Sequence, residues 1–406
     1  MAKPYRIAYL SYDGLADPLG QSQILPYILG LEANGFEFTI ISFEKPEAYK
    51  ALRNTIGPII EGKKIKWIPL KYHKSPPVLS TLLDLFYLWR SVRINHNHHQ
   101  FDIIHCRSYI SSLVGLRMKR KTGVKFIFDM RGFWADERVE GGLWNLKNPV
   151  FSLVYNFFKK QEKQFLKEAD HVVSLTYNAK AEIESWSINN APITVIPTCV
   201  DLDLFDPIKI KKEDQEALRE KLRLKSNDFV LLYLGSWGTW YLTKEMLDFF
   251  SELKKKKPEA KFLIVSTDKI NLSDYPYKKD VIVSSAQRKT VPLFISLANT
   301  SIFFIKTTFS KKASSATKMG EIMAMNVPVI TNAGWGDVEQ ILKNSHLGHC
   351  LPDLSHQTFI NHLILKENRF QRNSEAASTQ FDLRVGIEQY LSIYKDSLFL
   401  GKINGI

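Results

Sequence analysis

Short apolar runs recur along the chain, each followed by a longer stretch in which apolar positions return every three or four residues. The runs Arg6–Tyr12, Glu37–Phe43, Ile65–Leu70, Asp102–Cys106, Lys125–Met130, His171–Leu175 and Thr194–Pro197 are rich in Ile, Val and Phe and do not alternate with polar residues. Runs of this kind predict strands buried on both faces, and the helical stretches between them predict a parallel, doubly wound sheet. The pattern restarts at Phe229–Gly235 and continues through Phe262–Ser266, Val281–Ser284, Ser301–Ile305 and Val329–Thr331. The expected fold class is therefore α/β with two Rossmann-like domains, residues 1–200 and 201–380. A last helix opens at Phe381-Asp382-Leu383-Arg384 and occupies 381–406, with apolar and aromatic positions to about Leu400.

Composition narrows the function classes. Of the 406 residues, 45% are hydrophobic and 12% aromatic, which excludes a disordered chain. No apolar run reaches the roughly 18 residues needed to span a bilayer, and Met1-Ala2-Lys3-Pro4 leads straight into a strand, so neither a signal peptide nor a transmembrane helix is expected. Cys106, Cys199 and Cys350 are far apart and odd in number, which points to a reducing cytoplasm and against a disulfide or zinc framework. The net charge is +13, of which +8 lies in residues 1–200 (26 Lys+Arg against 18 Asp+Glu). Such a balance implies an anionic partner. Charges of both signs are dispersed and no RNP, zinc-finger or basic-helix motif occurs, so nucleic acid is set aside in favour of nucleotide phosphates and an anionic membrane surface.

One stretch concentrates the chemistry: Ser314-Ser315-Ala316-Thr317-Lys318-Met319-Gly320-Glu321-Ile322-Met323-Ala324-Met325-Asn326-Val327-Pro328-Val329-Ile330. It reads as a polar loop, an amphipathic helix and a buried strand. Free backbone N–H groups at the helix start, together with the helix dipole, favour an anion. Ser315 and Thr317 add hydroxyl donors and Lys318 a positive charge. Four lysines and no carboxylate occupy 306–318. A capped surface helix would show much the same pattern.

This loop, Lys-x-x-Glu, small-residue helix and Pro-Val-Ile resemble the donor-binding signature of family 4 retaining glycosyltransferases of the GT-B fold. The resemblance implies two domains facing a cleft, with the C-terminal helix crossing back to the N-terminal domain. It implies that Glu321 holds the nucleotide ribose and that the preceding amides hold the diphosphate. The family usually carries a second Glu eight residues before this one, where Ala313 stands, so donor-sugar recognition does not carry over. Val195-Ile196-Pro197-Thr198-Cys199-Val200-Asp201 resembles the family's hinge segment.

Three further loops sit at predicted strand ends, where open parallel sheets bind ligands. In Ser11–Ser22, Gly20 would admit close backbone approach to a phosphate or sugar. In Phe128–Arg138, Asp129 stands where the family usually has a His that meets the donor sugar. Asp129 and Arg131 are the catalytic candidates, two residues apart and so on one face if the strand continues. Asp136 and Glu137 are acceptor-side candidates, with His105 a weaker one. In Tyr233–Lys244, Gly235 and Ser236 offer amides, and Lys244 or Arg288 offers charge to the diphosphate. Ser236 replaces an Arg usual in the family. His96-Asn97-His98-His99 lacks carboxylate partners at ligand spacing and reads as a polar connection, so no metal ligand is assigned.

The function expected from the resemblance is retaining transfer of a sugar from a nucleotide-sugar donor to a glycan or polyprenyl-linked acceptor in surface-polysaccharide synthesis. No cofactor and no essential metal are implied. The alternatives are a nucleotide-sugar 2-epimerase of the same fold, and a non-catalytic binding subunit, for which Ala313 and Ser236 speak. The expected location is cytoplasmic, with a peripheral site on the inner membrane face as its extension. Val78–Arg93 and Leu143–Lys167 carry that extension: each sets Leu, Phe and Trp beside basic residues, among them Lys159, Lys160, Lys163 and Lys167. Ordinary sheet-covering helices would show the same pattern.

Overall fold

The computed structural model describes residues 4–188, 191–365 and 380–403. They form two compact units, residues 1–197 with 383–406 and residues 198–382. The expected domain boundary at 200 thus lies at 197, with the last helix counted in the first unit.

In the first unit seven parallel strands stand in the order β3-β2-β1-β4-β5-β6-β7: β1 Arg6–Ser11, β2 Glu37–Glu44, β3 Ile65–Lys71, β4 Ile103–Arg107, β5 Lys125–Asp129, β6 His171–Ser174 and β7 Ile193–Val195. Register pairs Ile7 with Phe38 on one side and with Ile103 on the other. Ile7, Ile40, Ile103, Phe126 and Val172 are fully buried, as β-branched and aromatic residues between two helical layers should be. The order reverses at β1 and β4, and that switch point positions the ligand edge of such sheets.

The helix Leu383–Ile403 packs on this unit, so the expected crossing back is present. A Cβ at Gly30 would come within 2.3 Å of Ile387 Cδ1, which is why the helix Leu25–Ala33 carries a glycine there. Tyr390 packs edge-on against Tyr27, with ring centroids 5.5 Å apart. Residues 404–406 of the expected helix, and 366–379 of the expected second domain, lie outside the described residues.

The second unit holds six parallel strands in the order β10-β9-β8-β11-β12-β13: β8 Phe229–Leu234, β9 Ala260–Val265, β10 Val281–Ser284, β11 Thr300–Ile302, β12 Val329–Asn332 and β13 Gly348–Leu351. The chain enters and leaves the unit side by side: Val200 N–H donates to the Phe381 carbonyl at 2.7 Å. A Cβ on Gly320 would lie 2.7 Å from Val200 Cγ2, so the glycine lets the helix Thr317–Ala324 press onto that crossing.

Two local expectations are corrected. His96, His98 and His99 form the last turn of the helix Leu79–His99, closed by Gln100 in the left-handed region, rather than a polar connection. The strand β5 stops at Asp129, because Arg131 takes φ 56° and Gly132 φ 123°. Strand alternation therefore does not place Asp129 and Arg131 on one face.

Candidate functional site

Chemistry-bearing side chains gather at the strand ends of each unit. In the second unit, β8 ends at Leu234 and the chain turns through Gly235 at φ 115°, a backbone region that disfavours side chains. A Cβ at Gly235 would lie 2.9 Å from Lys318 Nζ. The missing side chain is the room that Lys318 occupies. Its ammonium lies over the rings of Tyr241 (3.6 Å to the centroid), Tyr233 (4.3 Å) and Phe303 (5.6 Å). Nζ is buried and donates no hydrogen bond within the protein. Burial pushes its pKa well below the lysine value, and Glu321 opposes this.

Glu321 lies one helical turn further on, also buried. Arg288 Nη1 donates to Glu321 Oε1 at 2.7 Å, and its guanidinium stacks over Phe205 at 5.3 Å. Burial raises the Glu321 pKa, with Arg288 and then Lys318 pulling the other way. When Lys318 is protonated, two cations face one carboxylate in an aromatic, buried setting. Such a setting strengthens the attraction for an anion.

The helix that carries both residues starts uncapped by any side chain, at Ala316. Thr317, its first residue, is half-buried. Ser315 is already engaged: its Oγ accepts from Thr198 N–H at 3.0 Å, and Thr198 Oγ1 donates to its carbonyl at 3.0 Å. The Ser236 carbonyl accepts from Tyr233 Oη. The structure thus brings Gly235, Arg288, Lys318 and Glu321 together. Lys244 is not among them; it is exposed and pairs with Asp248 at 2.7 Å. Ala313 is buried. The sequence does contain an Asp-x-Asp, Asp201-Leu202-Asp203, but it closes a turn: Asp201 Oδ1 accepts from Asp203 N–H at 3.0 Å. No group of three or more potential metal ligands occurs among the described residues.

In the first unit the cluster sits at the carboxyl ends of β1, β4 and β5. Asp129 is 1% exposed. Arg131 Nη1 lies 3.8 Å from its Oδ1, Arg107 Nη1 4.0 Å from Oδ2, and His105 Nε2 3.5 Å from Oδ2. Tyr390 of the last helix donates to Oδ2 at 3.3 Å. Burial alone would raise the Asp129 pKa, but Arg131, His105 and Arg107 outweigh it and hold the carboxyl below its usual value. His105 is buried with its pKa lowered by desolvation, and its Nδ1 meets Tyr394 Oη at 2.8 Å. Arg107 also reaches Asp13 Oδ2 at 3.4 Å in the first loop.

That loop is fixed by Glu44, whose carboxylate accepts from Leu15 N–H at 2.7 Å and Ala16 N–H at 3.1 Å. At Gly20 a Cβ would meet the Gly14 carbonyl at 2.2 Å, so packing of the loop on itself already demands a glycine there. Asp136 accepts from Tyr155 Oη and Lys159 Nζ, both at 2.8 Å, within a buried network that includes Glu162. Glu137 is half-buried on the helix Trp134–Glu140. Lys159 is therefore turned inward, whereas Lys160, Lys163 and Lys167 are exposed.

Sequence reasoning missed Arg107, Tyr390, Tyr394 and the aromatic cage of Lys318. An arginine closing the apolar run Ile103–Arg107 was the available signal for the first. Tyr390 and Tyr394, four apart on one helix, were the signal for the next two. Nothing local marks the cage.

A sequence profile described as Glycosyltransferase Family 4 matches residues 26–204. Over that stretch the chain is similar to glycosyltransferase family 4. A D-inositol 3-phosphate glycosyltransferase of Catenulispora acidiphila is 25% identical over 171 residues, 42% of this chain and 38% of its own length. The chain thus aligns with well under half of that relative. Among solved structures, sucrose-phosphate synthase from Thermosynechococcus elongatus superposes with a TM-score of 0.70 at 16% identity, covering 98% of this chain and 100% of that one. Anabaena Alr3699/HepE, in complex with UDP and glucose, gives 0.68 at 13% identity over 97% and 100%. A putative UDP-N-acetylglucosamine 2-epimerase from Listeria monocytogenes gives 0.60 at 12% identity over 97% and 96%. At these identities the likeness establishes the GT-B fold. It is shared by transferases and epimerases alike, so function rests on the site.

Proposed function

We propose that this protein is a family 4 glycosyltransferase that transfers a sugar, with retention of anomeric configuration and without an essential metal, from a nucleoside diphosphate sugar to a glycan or lipid-linked acceptor. The observation that carries the reading is Lys318: a buried ammonium without a hydrogen-bond acceptor, beside a carboxylate already met by Arg288. A diphosphate is the anion such a site suits, and Glu321 keeps Oε2 for ribose hydroxyls. UDP is the first nucleotide to try, since a neighbour of the same fold was solved with it. As the diphosphate leaves, Lys318 and the helix amides would take up its growing charge, the role metal ions fill elsewhere. Asp129, held ionised by Arg131, His105 and Arg107, would orient the reacting partners.

The acceptor side favours a lipid. No helix of the described residues is long and apolar enough to cross a membrane. Exposed Leu and Phe beside Lys160 and Lys163 nonetheless suit a peripheral site on an anionic surface.

The deciding experiment is incubation with a panel of nucleotide sugars, with and without EDTA, while nucleotide release and product anomer are followed by NMR. Release that survives EDTA, with the donor's anomeric configuration kept, is the expected result. An epimerase would interconvert the sugar nucleotides instead, and a binding subunit would retain them unchanged.

A further inference from the structure

The first unit contains an apolar groove of about 700 Å³ that the donor chemistry leaves unused. Leu82 and Leu85 line it from the helix Leu79–His99, Phe151 and Val154 from the helix Pro149–Glu168, together with Trp134 and Trp144. Of the seventeen exposed large apolar side chains among the described residues, eleven fall within 79–94 and 143–157. Apolar exposure this concentrated marks an interaction site rather than ordinary surface.

Charge and shape identify the occupant. Lys74 and Arg138 line the groove and no Asp or Glu does. Neither cation is in an ion pair among the described residues. Over 72–101 the one carboxylate is Asp84, fully buried and bonded to Tyr12 and His73; over 141–161 there is none. The helix Trp134–Glu140 that supplies Arg138 also carries Asp136, Glu137 and Glu140, none of them in the lining, so an anion with apolar bulk meets two lining cations and no lining carboxylate. The volume falls inside the range of about 300–1,000 Å³ for small-molecule sites. The recess, as distinct from the outward apolar residues around it, suits an enclosed chain rather than a bilayer surface. Tyr12, Ile110 and Trp134 also line the groove and follow closely on β1, β4 and β5. The groove thus adjoins the sheet edge that carries Arg107, Asp129 and Arg131.

We propose that the groove holds the hydrocarbon chain of a single-chain lipid phosphate or diphosphate that bears the acceptor sugar, with Lys74 and Arg138 meeting its phosphate. The inference rests on the acceptor half of the proposed function and not on the donor half. The test uses the quenching of tryptophan fluorescence by farnesyl diphosphate, with UDP saturating, against inorganic diphosphate and farnesol as controls. Farnesyl diphosphate should bind at least about tenfold more tightly than either control, since each offers only one of the two interactions. Leu82 and Leu153 are 57% and 72% exposed, so Leu82→Asp and Leu153→Asp should fold normally. Each should weaken farnesyl diphosphate about tenfold, by placing a carboxylate beside chain and phosphate, with melting temperature and UDP affinity unchanged. Lys74→Ser with Arg138→Ser should erase the preference over farnesol. Equal binding of all three probes would overturn the proposal, as would undiminished farnesyl diphosphate binding by both aspartate variants. So would loss of attachment to phosphatidylglycerol vesicles with farnesyl diphosphate affinity intact, which would make the surface a bilayer dock. Loss of UDP binding alone would sink the donor assignment and leave the groove standing.

Discussion

Replacing Lys318 with methionine separates an anion-binding lysine from a structural one. Methionine keeps most of the volume and removes the charge. In the free protein the ammonium lacks acceptors, which costs roughly 1–3 kcal/mol for an unsatisfied buried donor. The rings of Tyr241 and Tyr233 at 3.6 and 4.3 Å offset that cost, by about 2 kcal/mol for a desolvated cation over aromatic faces. The cancellation is incomplete, since burial still holds the lysine pKa well down, so Lys318→Met should be at least as stable as the parent. Nucleotide binding has no such cancellation. A charged hydrogen bond to diphosphate contributes about 1.5–3 kcal/mol, which is roughly 10- to 150-fold in the UDP dissociation constant. Calorimetric titration with UDP, paired with thermal melts of the same preparations, measures both. UDP affinity unchanged within a factor of two, or a melting point sharply lowered in the variant, would refute the assignment.

The same lysine sets a pH dependence whose sign follows from its burial. Its folded pKa lies well below the unfolded value of 10.5, so between the two the unfolded chain binds more protons. Stability of the free protein therefore rises with pH across that window. A bound diphosphate restores the charge, so binding above the free pKa takes up a proton and UDP affinity falls as pH rises. Titration in buffers of different ionisation enthalpy reads the proton directly. Lys318→Met should abolish both slopes.

Glu321→Ala should cost about 1–3 kcal/mol of UDP affinity by calorimetry, and little affinity for inorganic diphosphate, because the ribose contact is what it removes. Asp129→Asn leaves Arg107 and Arg131 without their buried counter-charge and should lower stability by about 3 kcal/mol in denaturant titration; if turnover per folded molecule is also lost, Asp129 has a role beyond holding the cluster. His171 remains neutral to about pH 4 because of burial. Stability should therefore decline from pH 6.5 toward 4 by an amount of order 3 kcal/mol, and His171→Gln should flatten that decline. Lys160→Ser with Lys163→Ser should release the protein from anionic vesicles in co-sedimentation by about 1 kcal/mol per lysine, whereas Lys159→Ser should act on stability through Asp136 and Glu162.

How far the sequence carried the fold depended on whether burial was two-sided. Strands such as Ile103–Arg107 and Phe229–Leu234 are covered on both faces, and their unbroken apolar runs announced them. The edge strand Gly348–Leu351 is half-exposed, contains Gly and His, and left no run to see. Within the site, Lys318 and Glu321 were legible because both lie on one short helix, where spacing along the chain is spacing in space. Their surroundings come from elsewhere: Tyr233 and Gly235 from the end of β8, Phe303 from the end of β11, Arg288 from a turn before the helix Val291–Ser296. Burial then decides what each residue can do, and burial is a property of the assembled sheet. It turns Lys318 from a surface charge into an unpartnered cation, and Asp129 from a strand-end acid into the centre of an arginine cluster. It also turns Lys159 inward, away from any membrane, while leaving Lys160 and Lys163 outside. Helical spacing gave all three the same rank; the carboxylates of Asp136 and Glu162, brought up by packing, are what separate the first from the other two.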